Sequence, residues 1–405
     1  MFANPFSDDE LAARLERVRT EMMARRLDIA LISTPENIFY LTGLDHWGYF
    51  APHLLVVPLD GEMTLIARAM ERVTIEQQVR NALFEGHEDS ETMADLTVRH
   101  LRVRRQARVR AEAALEETEQ AIADVPGSHP SIGVETWSSG HSYAFGRALR
   151  EEIDDAEWTD ITGMIDALRL VKSPAEQALM RRAARVADAG AAAAIAAIRP
   201  GAAEVDVAAE CLAAMTRAGG QPPGFGPFIR PGNRLGEEHT TWGEGAYPET
   251  GTVFLELAGC IARYNTPMGR LVHLGRPSAA DARIAEIADE GFAAILEALR
   301  PGALARDVYA AWQSVVDEAG LAHYRRHHCG YAVGIGFPPS WTGGNNVTGI
   351  RQDSEMEIRV GMSFHAMSWL MGTGRGDCFV SNTVLLNENG AEVLTSATPE
   401  TLIVR

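Results

Sequence analysis

Cysteine, basic residues and long apolar runs are all scarce in this chain of 405 residues, and each scarcity excludes a class of function. Cys211, Cys260, Cys329 and Cys378 are its only four cysteines, widely scattered and without CxxC spacing, which rules against a secreted disulfide scaffold and suits small buried thiols in a reducing cytoplasm. Lys plus Arg number 37 against 55 for Asp plus Glu, a net charge of −18 that repels phosphate backbones and anionic lipid. No nucleic-acid or membrane partner is therefore expected. The most apolar stretch, Ala187 to Ile198, is alanine-rich and closed by Arg185 and Arg199, while Met1 to Asp9 holds neither a basic n-region nor an apolar h-region. The expectation is a cytoplasmic protein with no export signal and no membrane span.

What is present organises into two domains, since a chain of this length exceeds one ordinary core. Ser7-Asp8-Asp9-Glu10 reads as a capping box ahead of Leu11, Leu15, Val18 and Met22, one stripe of an amphipathic helix. Ile29 to Ile32, His53 to Val57, Met63 to Ala67 and Ile132 to Val134 read as buried strands, with helical stretches between Met70 and Ala123. This predicts a small α/β domain. An acidic, irregular stretch, Glu151 to Asp160, follows, and Ser173-Pro174-Ala175-Glu176 then opens a long helix with N-cap, first-turn Pro and N3 Glu in place. The boundary is placed near Asp160, giving domains 1–160 and 161–405. In the second domain the run Ala196 to Ala202 recurs as Glu297 to Ala303, each with an Arg-Pro-Gly-Ala core, which implies two related halves.

Four segments appear in order: Leu168 to Glu176, Phe254-Leu255-Glu256-Leu257-Ala258-Gly259, Gly330-Tyr331-Ala332-Val333-Gly334, and Gly361-Met362-Ser363-Phe364. Together they resemble the landmarks of the creatinase, prolidase and methionine-aminopeptidase superfamily, and the first 160 residues resemble the creatinase-type N-terminal domain. The resemblance implies an α/β (α+β) protein, a creatinase-like N-terminal domain followed by a pita-bread domain with an internal pseudo-twofold repeat.

Metallopeptidases of that superfamily hold two divalent ions with two Asp, one His and two Glu. By the motifs, those five positions fall here on Glu256, Pro267, Tyr331, Met367 and Ser381, so one carboxylate survives. Hard divalent ions need several anionic or imidazole ligands, and no metal or other cofactor is expected. His365, His327, His328 and Cys329 lie nearby in sequence, in a spacing that matches no standard zinc pattern. Metal-free relatives include creatinase and the ectoine hydrolases, which open a C–N bond at an amidine-type carbon. The finer resemblance is to the latter. It rests on Leu41-Thr42-Gly43 with Trp47, on Glu256 to Gly259 leading to Arg263-Tyr264 and Pro267, on Cys329-Gly330-Tyr331 with Pro338-Pro339-Ser340-Trp341, and on Gly361 to His365. Asn265, Thr266, Ser340 and residues 343–346 depart from that pattern.

An amidinium already carries positive charge over its carbon and nitrogens, so it needs no Lewis acid and is matched by a carboxylate. Glu256 is thus the expected nucleophile or general base, and His239, at the family's acid/base position, the expected proton shuttle. The bland reading of Glu256 is a structural ion pair with Arg270. Tyr331 and His365 are expected to face substrate, Trp242 and Trp341 to stack on a planar cation, and Arg270, or Arg68 across a dimer interface, to clamp a carboxylate. The resulting expectation is a homodimeric, metal-independent hydrolase of a small cyclic amidine, ectoine or hydroxyectoine, with its site near the subunit interface. The alternatives are a creatinase-like amidinohydrolase of a guanidino compound, an Xaa-Pro peptidase-like protein, and a binding protein on the same fold.

Overall fold

A computed structural model describes residues 4–116, 129–344 and 346–405. Its contacts divide the chain into two units, Met1–Leu168 and Arg169–Arg405, where the sequence pattern places the boundary near Asp160.

In the first unit, α1 (Asp8–Ala24) is capped by Ser7, whose hydroxyl accepts from the Glu10 amide. The reciprocal half of the expected capping box is missing, because the Glu10 carboxylate is held by Arg14 at 3.0 Å. Then follow β1 (Ile29–Ile32), α2 (Pro35–Thr42), β2 (Leu54–Pro58), β3 (Met63–Arg68), α3 (Arg72–Gln78), β4 (Ala82–His87), α4 (Met93–Glu116), β5 (Ser131–Val134), α5 (Tyr143–Glu152) and β6 (Glu157–Asp160). The strands form one sheet in the order β4-β3-β2-β1-β5-β6. Two strands correct the sequence reading. β4 interrupts the stretch expected to be helical, of which residues 117–123 lie outside the described part, and β6 occupies the end of the segment expected to be irregular. Both are sheet-edge strands with little buried face, and a strand without a buried face leaves no alternating signal in its sequence.

A short helix, α6 (Met164–Arg169), reaches the second unit. There α7 (Pro174–Ala197) starts at a complete Ser173–Glu176 capping box and is followed by α8 (Glu204–Arg217), β7 (Phe228–Pro231), β8 (Gly251–Ile261) and β9 (Tyr264–Leu274). The second half repeats the plan with α9 (Ala279–Ala298), α10 (Ala305–Val316), β10 (Gly330–Ala332), β11 (Ser363–Leu370) and β12 (Cys378–Asn387), and ends in β13 (Gly390–Val393) and β14 (Ile403–Val404). The duplicated Arg-Pro-Gly-Ala turns are built alike. Gly201 (φ +74°) donates to the Tyr247 carbonyl and Gly302 (φ +88°) to that of Ile358, and the Tyr247 and Ile358 amides return to Ala202 and Ala303. Each glycine supplies a left-handed φ that side chains resist.

The strands of this unit order as β10-β11-β12-β9-β8-β7, with β13 on β12 and β14 on β9. Helices α7 and α9 pack on one face. A Cβ on Gly259 would strike the Ala183 carbonyl of α7, and Gly291 of α9 lies against Ser368, whose hydroxyl accepts the Trp312 indole N–H at 3.1 Å. The segment after β10 reaches back to β7, where the Phe228 ring lies 5.5 Å from Trp341. The face away from the helices thereby becomes concave.

Candidate active site

Directly paired residues of an antiparallel sheet point to the same face, and faces alternate along each strand. Glu256 pairs with Gly269, Gly269 with Ser381, and Ser381 with Met367, while Pro267 pairs with Ala258 and Tyr331 with His365. Following those pairs across the strands puts Glu256, Pro267, Tyr331, Met367 and Ser381 on one face, the concave one. The sequence motifs and the strand register thus agree on which positions line the site.

Glu256 is 9 % exposed, and among the described residues its carboxylate has neither a hydrogen bond nor an ion pair. Burial pushes its pKa up to about 8, the Arg230 and Arg326 guanidiniums pull the other way, and the Glu238 charge adds to the rise. An acid held close to neutrality in a concave site is a functional candidate on physical grounds.

Glu256 makes no ion pair with Arg270, the bland reading of that carboxylate, and Arg270 is not placed to clamp a substrate. Arg270 pairs with Leu255 in the β8–β9 ladder, so its side chain leaves the sheet on the face opposite Glu256. There it is 1 % exposed, and its five N–H groups go to the carbonyls of Gly269, Ser381, Thr398 and Glu400 and to Asn382 Oδ1. No donor is left for a substrate carboxylate. Arg270→Lys is accordingly expected to cost at least about 2 kcal/mol in unsatisfied carbonyls and lower Tm by roughly 4–8 °C, with KM unchanged. A raised KM at unaltered Tm, read from melting curves and kinetics together, would return Arg270 to the site. Arg68 belongs to the first unit, where it donates to Asp89 at 2.8 Å.

Where the superfamily would place metal ligands, a hydrogen-bonded chain fills the space. The Trp341 indole N–H donates to the Tyr331 hydroxyl at 2.9 Å, that hydroxyl bonds His365 Nδ1 at 2.9 Å, and His365 Nε2 bonds Ser381 Oγ at 2.7 Å. His365 is fully buried, and desolvation drives its pKa down to about 3, so the ring is neutral. Its nitrogens are both spent on protein groups, which corrects the expectation that it meets substrate. Burial, helped by the Glu256 charge, pushes the Tyr331 phenol up, so it stays protonated. Trp341, 2 % exposed and wedged at 4.8 and 5.5 Å from the Phe225 and Phe228 rings, is a wall of the site rather than a stacking platform. Trp242 is half-buried in the loop between β7 and β8.

His239 lies in that same loop, exposed, with its ring parallel to Phe225 at 6.0 Å and edge-on to Phe228 at 5.9 Å. Since Phe228 pairs with Glu256, the imidazole sits above the Glu256 row. Its φ of +56° is left-handed, a conformation that costs a β-substituted residue about 1 kcal/mol or more and gathers at functional loops. Arg230 fixes the loop by donating to the carbonyls of Arg234, Leu235 and Thr240.

Sequence reasoning overlooked Arg230 and Arg326. Their guanidiniums stack at 4.2 Å on Phe254 and Trp369, two rings that pack with Phe379 on the concave face. No motif or predicted strand marked either residue in the sequence.

The donor set does not fit a pair of divalent ions. Glu256 is the only carboxylate among the five positions, Tyr331 and Ser381 are bonded to one another through His365, and Pro267 and Met367 offer no hard ligand. Among the described residues no three His, Cys, Asp or Glu side chains are grouped as a metal site, so His327, His328, Cys329 and His365 do not assemble one.

Fold and site define a creatinase/prolidase-type chain. Residues 178–388 match metallopeptidase family M24, and residues 14–171 match the creatinase/prolidase N-terminal domain. The chain belongs to metallopeptidase family M24, a family of hydrolases, and its second unit is the pita-bread domain. It is 28% identical over 403 residues to an ectoine hydrolase of Halomonas elongata, covering 96% of both chains. To an Xaa-Pro dipeptidase of Pyrococcus furiosus it is 27% identical over 261 residues, 64% of this chain and 73% of that one. A prolidase from Thermococcus sibiricus shares the fold with a TM-score of 0.81 at 18% identity, over 99% of this chain and all of the other. Among the described residues no helix is long and apolar enough to cross a membrane, and the four cysteines are buried.

Proposed function

We propose that this protein is a metal-independent hydrolase that opens a C–N bond of a small cyclic amidine, ectoine or hydroxyectoine, to give an N-acetylated diamino acid, and that it works as a cytoplasmic homodimer. One observation carries the reading: an unpaired buried carboxylate, Glu256, on a face whose other ligand positions hold Pro267, Tyr331, Met367 and Ser381. A buried carboxylate that makes no direct ion pair among the described residues is a site for a cation, and an amidinium supplies both the charge and the electrophilic carbon. Glu256 pairs with that cation and adds to its carbon, while His239 delivers a proton to the departing ring nitrogen and then takes one from the water that releases the product. Tyr331, protonated throughout and held by Trp341 and His365, lines the same space. The similarity to an ectoine hydrolase along 96% of the chain supports this substrate over a peptide.

The test is turnover set beside metal content. Protein purified with far less than one equivalent of Mn, Fe or Zn is expected to open ectoine at full rate, to be indifferent to EDTA, and to release neither urea from creatine nor proline from Xaa-Pro dipeptides. EDTA inhibition reversed by added metal would end the proposal, and urea release would move it to the guanidino alternative.

A further inference from the structure

Two arginines flank Glu256, and they are in opposite states. Arg230 and Arg326 each lie 4.2 Å above an aromatic ring of the same Phe254–Phe379–Trp369 group, and the charge of each lowers the Glu256 pKa. Arg230 is 1 % exposed, with its nitrogens committed to three loop carbonyls. Arg326 is half-buried, and its guanidinium makes no hydrogen bond or ion pair among the described residues. Its Nε is buried without any partner. A buried donor left unsatisfied costs free energy, and a planar guanidinium pinned on a ring face has its fork already oriented, so both features favour an acceptor that arrives from outside. Arg270, offered for that task, is spent on five acceptors behind the sheet.

We infer that Arg326 is the anion anchor of the site: it binds the carboxylate of a zwitterionic substrate whose cationic end lies on Glu256. The inference rests on the amidine reading for the cationic half and adds the anionic half. Arg326 and Glu256 present opposite charges from one concave surface. A ligand must therefore carry both charges on a small frame. Amidines without a carboxylate leave the Arg326 fork unpaired and bind weakly, which gives the enzyme its discrimination. Trp369 is a positioning residue, since it touches the arginine rather than the ligand.

Calorimetric titration of wild type, Arg326→Met and Arg326→Lys with three probes tests this: ectoine, the same ring lacking its carboxylate, and pipecolate, a six-membered ring with a carboxylate and no amidine. Melting curves establish that the variants fold, and Met retains the packing on Trp369. Arg326→Met is expected to weaken ectoine and pipecolate by roughly 10- to 100-fold, the worth of a charge-assisted hydrogen-bonded pair, and to leave the carboxylate-free amidine within about twofold. Lys recovers part of the loss because it restores charge without the fork. Equal weakening of all three probes would show that Arg326 acts through Glu256 and would overturn the inference. So would wild-type binding of pipecolate that ignores both substitutions. If neither amidine binds wild type while pipecolate does, and Arg326→Met abolishes that, the amidine reading fails and the anchor stands.

Discussion

Glu256→Gln is expected to reduce turnover of ectoine below detection while making the protein more stable above neutral pH. The substitution keeps volume and removes the group that pairs with the cation and attacks it, so no pathway through that carboxylate remains. Its stability signature has a definite pH window. The folded pKa is raised, to about 8, above the ordinary 4.5, so the protonated form favours folding. That contribution is complete below about pH 4.5 and is lost as pH climbs through 8, by which point an unpaired buried carboxylate costs on the order of a few kcal/mol. Gln carries no such penalty. The Tm difference between variant and wild type should accordingly widen from pH 4.5 to 8 and then level off. For the wild-type enzyme, kcat/KM should fall about tenfold per unit below pH 8, because the free enzyme must ionise Glu256 to accept an amidinium. Unchanged turnover in the Gln variant would remove Glu256 from the mechanism, and a flat Tm difference would mean the carboxylate finds a partner in solution.

His239→Asn is the second large effect expected, a drop in kcat of about 10²- to 10⁴-fold, the range for loss of a positioned acid/base. Asn is preferable to Ala here because it tolerates the left-handed φ of +56° at this position, so backbone strain is kept apart from lost chemistry. Substrate affinity should change little, as the pairing with Glu256 is intact. Burst kinetics and intact-protein mass would separate the two halves of the reaction: with the water step slowed, an adduct on Glu256 should accumulate. A variant as fast as wild type would hand the proton transfer to another group.

Much of this site could be read before the fold was known. The landmark segments placed Glu256, Pro267, Tyr331, Met367 and Ser381, and strand pairing later set all five on one face. Arg270 was misread for a traceable reason. Its face depends on the length of the β8–β9 turn, and that turn is made by Ala262 and Arg263 at φ +46° and +63°, where Asn-Gly would normally announce it. With the turn invisible, the register that pairs Arg270 with Leu255 was invisible too. Arg230 and Arg326 were missed because stacking on Phe254 and Trp369 is a tertiary event with no periodicity of its own. His365 was expected to face substrate because its bonding partners, Tyr331 and Ser381, meet it only across strands.

The Trp341–Tyr331–His365–Ser381 chain makes its members interdependent. A histidine at 331 would strip Trp341 and His365 of their shared oxygen, and a glutamate at 381 would drive a carboxylate into a fully sealed spot already claimed by an imidazole. Neither change alone keeps the network whole, so the residue tolerated at one of these positions is set by those at the others.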